Sequence, residues 1–139
     1  DGLHIVKKYF YIYRMINKVM ITVIIKRIAQ LWSLFSILFL SLMLFGHLFG
    51  DEGFNFTSVQ EIIWFCFFPL GVYLGMIISF KWQGIGGLIT VLSIVMFHLL
   101  SRTHFNYWID GVSFPGFLNI IYWSLIFFQR PLPNTLKKE

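Results

Sequence analysis

The chain has 139 residues, of which 58% are hydrophobic and 12% are charged, and its formal net charge at pH 7 is +5. This length leaves room for one compact unit, and a mean hydropathy of +0.75 excludes an ordinary soluble domain when the apolar residues fall in long runs. The single cysteine, Cys66, excludes an intrachain disulfide and CxxC redox chemistry.

Residues 1–27 form a basic segment ahead of the first long apolar run. Drawn as a helix, the segment has Lys7, Arg14 and Lys18 on one face and an apolar row on the other. The row is Ile5, Tyr9, Ile12, Ile16, Val19 and Val23. This pattern predicts a basic amphipathic helical segment lying on the cytoplasmic leaflet, or a cytoplasmic continuation of the first spanning helix. A native start at Met15 or Met20 would make the preceding residues foreign to the protein.

Four apolar runs follow, and they predict transmembrane helices because about 20 helical residues cross a bilayer. Backbone polar groups cannot bond to lipid, so an open chain must cross as helices. The predicted four-helix transmembrane domain covers 28–130, with spans at about 28–49, 59–80, 84–100 and 114–129, and a cytoplasmic tail at 131–139. The fourth run is short and requires its flanking residues or a slightly thinner bilayer.

Residues that typically begin or bend helices support these boundaries. The stretch TSVQE at 57–61 contains two overlapping capping boxes, Thr57 to Gln60 and Ser58 to Glu61, which predict the start of the second span. Pro69 predicts a kink within that span. Ser113 and Pro115 resemble a cap and an early-helix proline for the fourth span.

The distribution of charge predicts the topology. With four spans, ten of the eleven Lys and Arg residues fall on one side, and Arg102 is the exception. The positive-inside rule then predicts an antiparallel bundle with both termini in the cytoplasm. An aromatic belt would place Trp32 and Trp82 at the inner interface and Trp64 and Trp108 at the outer one. The same charges account for a pI near 9.5, and no nucleic-acid-binding signature is present.

Small residues in the spans predict close helix packing, because van der Waals contact replaces the hydrophobic force in lipid. The predicted packing residues are Gly46, Gly50, Gly71, Gly75, Gly84, Gly87 and Asn119. The short connection between the second and third spans predicts a tight hairpin in which Gly75 and Gly87 meet. The alternative is that these glycines face a partner subunit.

The sequence contains no signature of catalysis. No acidic or basic residue lies in the middle of a span, which argues against a self-contained pump, and no nucleophile elbow, P-loop or dinucleotide fingerprint occurs. His47 and His98 lie at matched depth near the outer side and are candidates for haem or metal ligation, or for capping helix ends. No metal-ligand spacing accompanies them, so no cofactor and no metal are expected.

Several short segments resemble a family of small, uncharacterised bacterial four-helix membrane proteins. The segments are RIAQLWS at 27–33, FGHLFG at 45–50, EGFN at 52–55, FPLG at 68–71 and KWQGIGGL at 81–88, with Glu61 between them. The resemblance implies a tetraspan bundle of unknown function in a bacterial inner membrane and adds no catalytic residue. It also implies that the residues before about Ile24 are an extension particular to this chain.

Three functions remain open from the sequence. The first is a non-enzymatic accessory or scaffold protein that packs in the bilayer with itself or within a larger complex, with the outer loop as contact surface through Asp51, Glu52, Phe54 and Phe56. The second is a small transporter or channel subunit that uses Pro69, Asn119 and the serines of the first span. The third is a redox or metal protein that uses the two histidines.

Overall fold

The structure, a computed structural model, describes residues 2–50 and 56–129. Every regular element in these ranges is helical: α1 (Gly2–Phe49), α2 (Val59–Phe65), α3 (Val72–Ser79), α4 (Gln83–Ser101) and α5 (Tyr107–Gln129). Four helical stretches are long and apolar enough to cross a membrane: Val6–Phe49, Val59–Ser79, Gln83–Ser101 and Tyr107–Phe128. The prediction of an all-α protein with four such helices is confirmed. The predicted tail at 131–139 lies outside the described residues.

Helix α1 is one unbroken helix of 48 residues. At about 1.5 Å per residue it is roughly 70 Å long, more than twice the thickness of a hydrocarbon core of about 30 Å. The basic segment therefore continues the helix of the first apolar run without a break. This agrees with the interpretation of the segment as an extension of the first spanning helix. All side chains from Val6 to Ile16 are exposed.

The middle of α1 packs against the other helices through a narrow stripe. The buried side chains are Thr22, Ala29, Ser33, Ser36 and Leu40, and their spacing of seven, four, three and four residues keeps them on one face of a helix. Ala29 and Ser33 are small residues four apart, which lets the backbone of a neighbouring helix approach closely. The part of α1 inside the bundle thus starts earlier than the predicted span at 28.

The second span bends at Pro69, as predicted. Its two helices, α2 and α3, are joined by Cys66–Gly71, in which Phe68 has φ −134° and ψ 124°. Those angles are extended rather than helical. The ring of a proline disfavours the helical region for the residue before it, so the interruption falls at Phe68.

Helices α3 and α4 touch through glycines, but with a different pairing from the predicted one. A methyl group added at Gly75 would lie 2.7 Å from the Thr90 backbone nitrogen, and one added at Gly86 would lie 2.6 Å from the Gly75 carbonyl oxygen. A methyl group at Gly87 would lie 2.7 Å from the Gly116 carbonyl oxygen of α5. Successive residues of a helix point about 100° apart, so Gly86 faces α3 while Gly87 faces α5.

Helix α5 begins at Tyr107, seven residues before the predicted fourth span, so the prediction that Ser113 and Pro115 mark its start is wrong. The helix is capped by Asn106, whose Oδ1 accepts a hydrogen bond from the Trp108 backbone N–H at 3.0 Å. Ser113 lies inside the helix and donates to the Asp110 carbonyl at 3.0 Å. Asparagine is as good an N-cap as serine.

Pro115 is tolerated inside α5 because α1 supplies the missing hydrogen bond. A proline cannot donate to the carbonyl four residues earlier, which here belongs to Gly111. The indole Nε1–H of Trp32 donates to that carbonyl oxygen at 3.1 Å. Gly111 is only three residues from Trp108, so the prediction that Trp32 and Trp108 lie at opposite membrane interfaces is wrong.

The apolar core lies where α1, the bent second span, α4 and α5 meet. It consists of Leu40, Phe68, Val72, Met76, Ile94 and Val112. Much of the remaining interior is filled by hydroxyl side chains such as Thr90 and Ser93, while the outer surface carries large apolar residues. This distribution suits a lipid environment, in which burial of apolar groups provides little net driving force.

Candidate functional site

The most structured polar site is at the end of α4 and the start of α5. His98 Nε2 lies 2.8 Å from Asp110 Oδ1, and the two side chains are 23% and 17% exposed. The other ring nitrogen, Nδ1, is 3.2 Å from both the carbonyl oxygen and the hydroxyl of Thr103. Asp110 Oδ2 accepts the Asn106 backbone N–H at 2.8 Å. The pair thus closes the turn between two helices.

The neighbouring hydroxyl groups determine which atoms of His98 carry protons. Ser101 Oγ donates its only proton to the Phe97 carbonyl at 2.7 Å, so the contact of 2.7 Å between Ser101 and Thr103 uses the Thr103 proton. Both Thr103 oxygens therefore accept from His98, and Nδ1 must carry a hydrogen.

The second ring nitrogen of His98 faces a carboxylate. Asp110 lies in the first turn of α5 and His98 in the last turn of α4. A helix stabilises an anion at its N-terminus and a cation at its C-terminus. The contact therefore places a basic side chain at the C-terminus of α4 against an acidic side chain at the N-terminus of α5, the order that both helix dipoles favour.

A cavity of about 490 Å³ adjoins this pair, in the wedge between α1 and α4 above one face of α5. Its wall is formed by Trp32, Ile94, Val95, His98, Phe105, Tyr107, Asp110, Gly111, Phe114 and Phe117. The Trp32 and Phe114 rings are 5.2 Å apart between centroids. The wall is mostly aromatic and aliphatic, and its ionisable side chains are His98 and Asp110, with the phenol of Tyr107 beside them in sequence.

The two candidate histidines, His98 and His47, have different surroundings. Both ring nitrogens of His98 are engaged by protein oxygens, so neither presents a lone pair to a metal. His47 is exposed in the last turn of α1. Among the described residues, no three His, Cys, Asp or Glu side chains are grouped closely enough to hold a metal ion.

The predicted packing residues fall into two groups. Gly71, Gly75, Gly84 and Gly87 lie against side chains or backbone of a neighbouring helix. Gly46 faces open space, and a methyl group at Gly50 would meet only the carbonyl of Gly46 in the same helix end, so neither contacts another helix. Both glycines lie at the exposed end of α1, beyond its packed stripe. Their predicted role in packing rested only on their spacing of four residues.

Asn119 is 2% exposed in α5. A methyl group added at Gly87 would lie 3.1 Å from its Cβ, so Asn119 does contact α4. Its amide nitrogen has no hydrogen-bond partner within the described part of the chain. The packing of Asn119 against α4 therefore rests on the shape of its side chain.

The predicted contact loop is mostly outside the described residues, including Asp51, Glu52 and Phe54. Phe56 is described, and its ring packs edge-on against Phe65 with centroids 5.4 Å apart. Next to it Ser58 caps α2 by accepting from the Glu61 backbone N–H at 3.3 Å. The Glu61 carboxylate accepts from the Thr57 backbone N–H and hydroxyl instead of closing the second predicted box.

The sequence interpretation did not pair His98 with Asp110, although a signal was present. The two residues flank a short connection between spans, with a basic residue in the last turn of one helix and an acidic residue in the first turn of the next. Complementarity to both helix dipoles favours that order of charges. Ala29 and Ser33 were not predicted as packing residues, because the prediction rested on glycine pairs, although Ala and Ser permit the same close approach.

Four helices of this length and apolar character define the class: a multi-pass, all-helical membrane protein. The chain belongs to the DUF7670 family, described as a domain of unknown function, which it matches over residues 16–134. No curated protein and no solved structure matches it significantly. The family match includes the last span and eight residues ahead of Ile24, so it reaches further at both ends than the predicted resemblance. The biochemical role of the family is unknown.

Proposed function

We propose that this protein is a non-enzymatic accessory or scaffold of a bacterial inner membrane, with both termini in the cytoplasm, which associates with a second copy through the N-terminal part of α1. The observation that carries the proposal is the length of α1 combined with the exposed apolar row on its N-terminal extension. The resemblance to small bacterial tetraspan proteins supports the choice of membrane.

An antiparallel bundle is supported by the order of the contacts between helices. Gly87 of α4 lies near Asn119 of α5, and His98, further along α4, contacts Asp110. Asp110 precedes Asn119 in α5, so the two helices run in opposite directions. The same opposite order relates α3 to α4. Along α1 and α5, Lys26 lies over the Tyr122 ring at 5.6 Å, and Trp32 bonds to Gly111.

The cytoplasmic orientation is supported by the cations of α1. Residues 7–18 hold four of them on the part of α1 that extends beyond the bundle. Lys26 and Arg27 lie further in, where a lysine or arginine side chain can extend back toward the same interface. The connection between the first two spans holds no Lys or Arg, so the positive-inside rule assigns it to the opposite side.

Self-association is supported by the spacing of apolar residues on the extension. Tyr9, Ile12, Ile16, Val19 and Val23 alternate steps of three and four residues, which is the seam of a two-stranded coiled coil. Each is between 40% and 71% exposed in the single chain. Lys7, Arg14 and Lys18 lie away from this seam, so two parallel copies would not bring these cations together.

Orientation is tested with single cysteines in a Cys66→Ser background. Gln60→Cys and Lys81→Cys are both exposed positions at opposite ends of the second span. In right-side-out vesicles, a membrane-impermeant maleimide should label Cys at position 60 and spare position 81. The reverse pattern would overturn the proposed orientation.

Association is tested by native mass spectrometry of the full chain released from lipid nanodiscs. The wild type should give a dimer, and the double substitution of Ile12 and Ile16 by Glu should give a monomer. Tyr11→Glu with Asn17→Glu adds the same charge off the seam and should remain a dimer. A wild-type monomer, or equal loss in both double variants, would refute pairing through this seam.

A further inference from the structure

We propose that the cavity between α1, α4 and α5 is a binding site for a neutral amphiphile whose polar group is a hydroxyl. The hydroxyl would donate to the carboxylate of Asp110, and the apolar body would lie along the aromatic wall toward Phe117. This site is independent of the association through α1, since the N-terminal extension contributes nothing to its wall.

The shape of the cavity suits a small apolar body. Its volume of about 490 Å³ falls in the range of roughly 300–1,000 Å³ typical of small-molecule sites. Several wall residues remain partly open to the surroundings; Trp32, Phe114 and Phe117 are between 40% and 43% exposed. A ligand can therefore enter sideways from the bilayer, and the end of its chain can remain among the lipids.

Beside Asp110 the cavity offers hydrogen-bond acceptors, and the hydroxyl of Tyr107, which also lines the cavity, belongs to a side chain that is 84% exposed. Both ring nitrogens of His98 already contact protein oxygens, and the Trp32 N–H is committed to Gly111. Asp110 accepts one hydrogen bond on each carboxylate oxygen, and a carboxylate has about four lone-pair sites. Two acceptor sites therefore remain, which matches a hydroxyl donor.

The same charges exclude an anionic lipid head. The His98 ring already contacts Asp110 at 2.8 Å, and the free lone pairs of the carboxylate would face a second anion. Like charges in a low-dielectric site repel strongly. A carboxylate or phosphate amphiphile should bind less well than an alcohol of the same length, and an ether without a donor should also bind less well.

Gly111 forms the floor of the cavity and offers a way to fill it. A methyl group added at Gly111 meets nothing within 4 Å, so a larger side chain there would extend into the cavity rather than into protein. Gly46 has the same open surroundings but lies at the far end of α1, outside the cavity. Gly111 and Gly46 therefore provide a test position inside the cavity and a control position outside it.

The test is photolabelling of the full chain in phosphatidylcholine vesicles. The probes are hexadecanol with a mid-chain diazirine, and the matched hexadecyl methyl ether and hexadecanoic acid. In the wild type we expect label on Ile94, Phe114 or Phe117, with the alcohol exceeding the ether by roughly two- to tenfold, the equivalent of one hydrogen bond. Excess hexadecanol should compete with the label.

Variants separate the site from general lipid contact. Gly111→Leu should lower labelling by the alcohol to the level of the ether, whereas Gly46→Leu should leave it unchanged. Gly111→Ala provides a milder block if the larger side chain alters folding. Asp110→Asn should remove the preference for alcohol over ether, because the amide also offers donors.

Equal labelling by the three probes in the wild type would show that the cavity holds bulk lipid chains without selection and would overturn the proposal. So would undiminished labelling in both Gly111 variants. Because neither result depends on the oligomeric state, failure of the site and failure of the association proposal are distinguishable.

Discussion

The contact between Gly86 of α4 and α3 gives the sharpest test of the fold. A methyl group at Gly86 would overlap the backbone of Ser79 and lie 2.6 Å from the Gly75 carbonyl oxygen, whereas carbon atoms normally approach to about 3.5–4.0 Å. The obstructing atoms are backbone, so no rotamer change relieves them. Gly86→Ala therefore requires the two helices to move apart by about 1 Å, judged against that contact distance.

The magnitude follows from comparison with Gly46→Ala. Both changes gain the same helix propensity, roughly 0.5–1 kcal/mol for Gly to Ala, so their difference isolates the cost of overpacking. Overpacking typically costs about 1–3 kcal/mol, and obstruction by the rigid backbone of both Ser79 and Gly75 places this case in the upper half of that range. Gly86→Ala should be about 2–3 kcal/mol less stable than Gly46→Ala.

The assay is reversible unfolding in mixed micelles of rising sodium dodecyl sulfate fraction, followed by circular dichroism. Gly46→Ala should be equal to or slightly more stable than the wild type, since nothing lies within 4 Å of the added methyl group. If Gly86→Ala unfolds at the same detergent fraction as Gly46→Ala, α3 and α4 do not touch at this glycine, and the hairpin packing described above is incorrect.

Three further substitutions address local interactions by the same unfolding assay. Trp32→Phe removes the donor to the carbonyl freed by Pro115 and should lower the free energy of unfolding by about 1–3 kcal/mol. In a Pro115→Ala background, where the helix again supplies a donor, Trp32→Phe should cost little. Additive effects of the two substitutions on stability would contradict this coupling. Arg102 has φ 50° at the end of α4, so Arg102→Gly should stabilise by up to about 1 kcal/mol, whereas Arg102→Ala should not. Ser58→Ala removes the cap of α2 and should cost about 1 kcal/mol; an unchanged midpoint would show that the bond to the Glu61 N–H contributes nothing.

The number of spanning helices was predictable because it depends on local properties. Each apolar run must satisfy its own backbone polar groups in lipid, so length and composition decide the state of that run without reference to the others. The kink at Pro69 was predictable for the same reason, since a proline acts on the residue before it and on the carbonyl four residues earlier.

The packed part of α1 begins before the span predicted at 28, whose boundary was placed by charge. Arg27 immediately precedes the uninterrupted apolar run in the sequence, yet in the structure Thr22 is already buried. A long side chain lets its charged end reach the interface while its backbone remains within the membrane. The first charged residue is therefore a poor marker for the end of a span.

The candidate site depended on the tertiary structure for a different reason. His98 and Asp110 are twelve residues apart, and only the turn between α4 and α5 brings them to 2.8 Å. The cavity also requires Trp32, which comes from a helix distant in sequence, and Trp32 reaches it because Pro115 frees the Gly111 carbonyl.

By itself, the sequence determined the environment of this protein and the helical state of its spans, because lipid acts on each run separately. The tertiary structure alone decided which glycine meets which helix, where α1 enters the bundle, and what surrounds His98. Those outcomes depend on helix rotation and register, since a change of one residue turns a side chain by about 100°. Such rotations are set by contacts between distant helices.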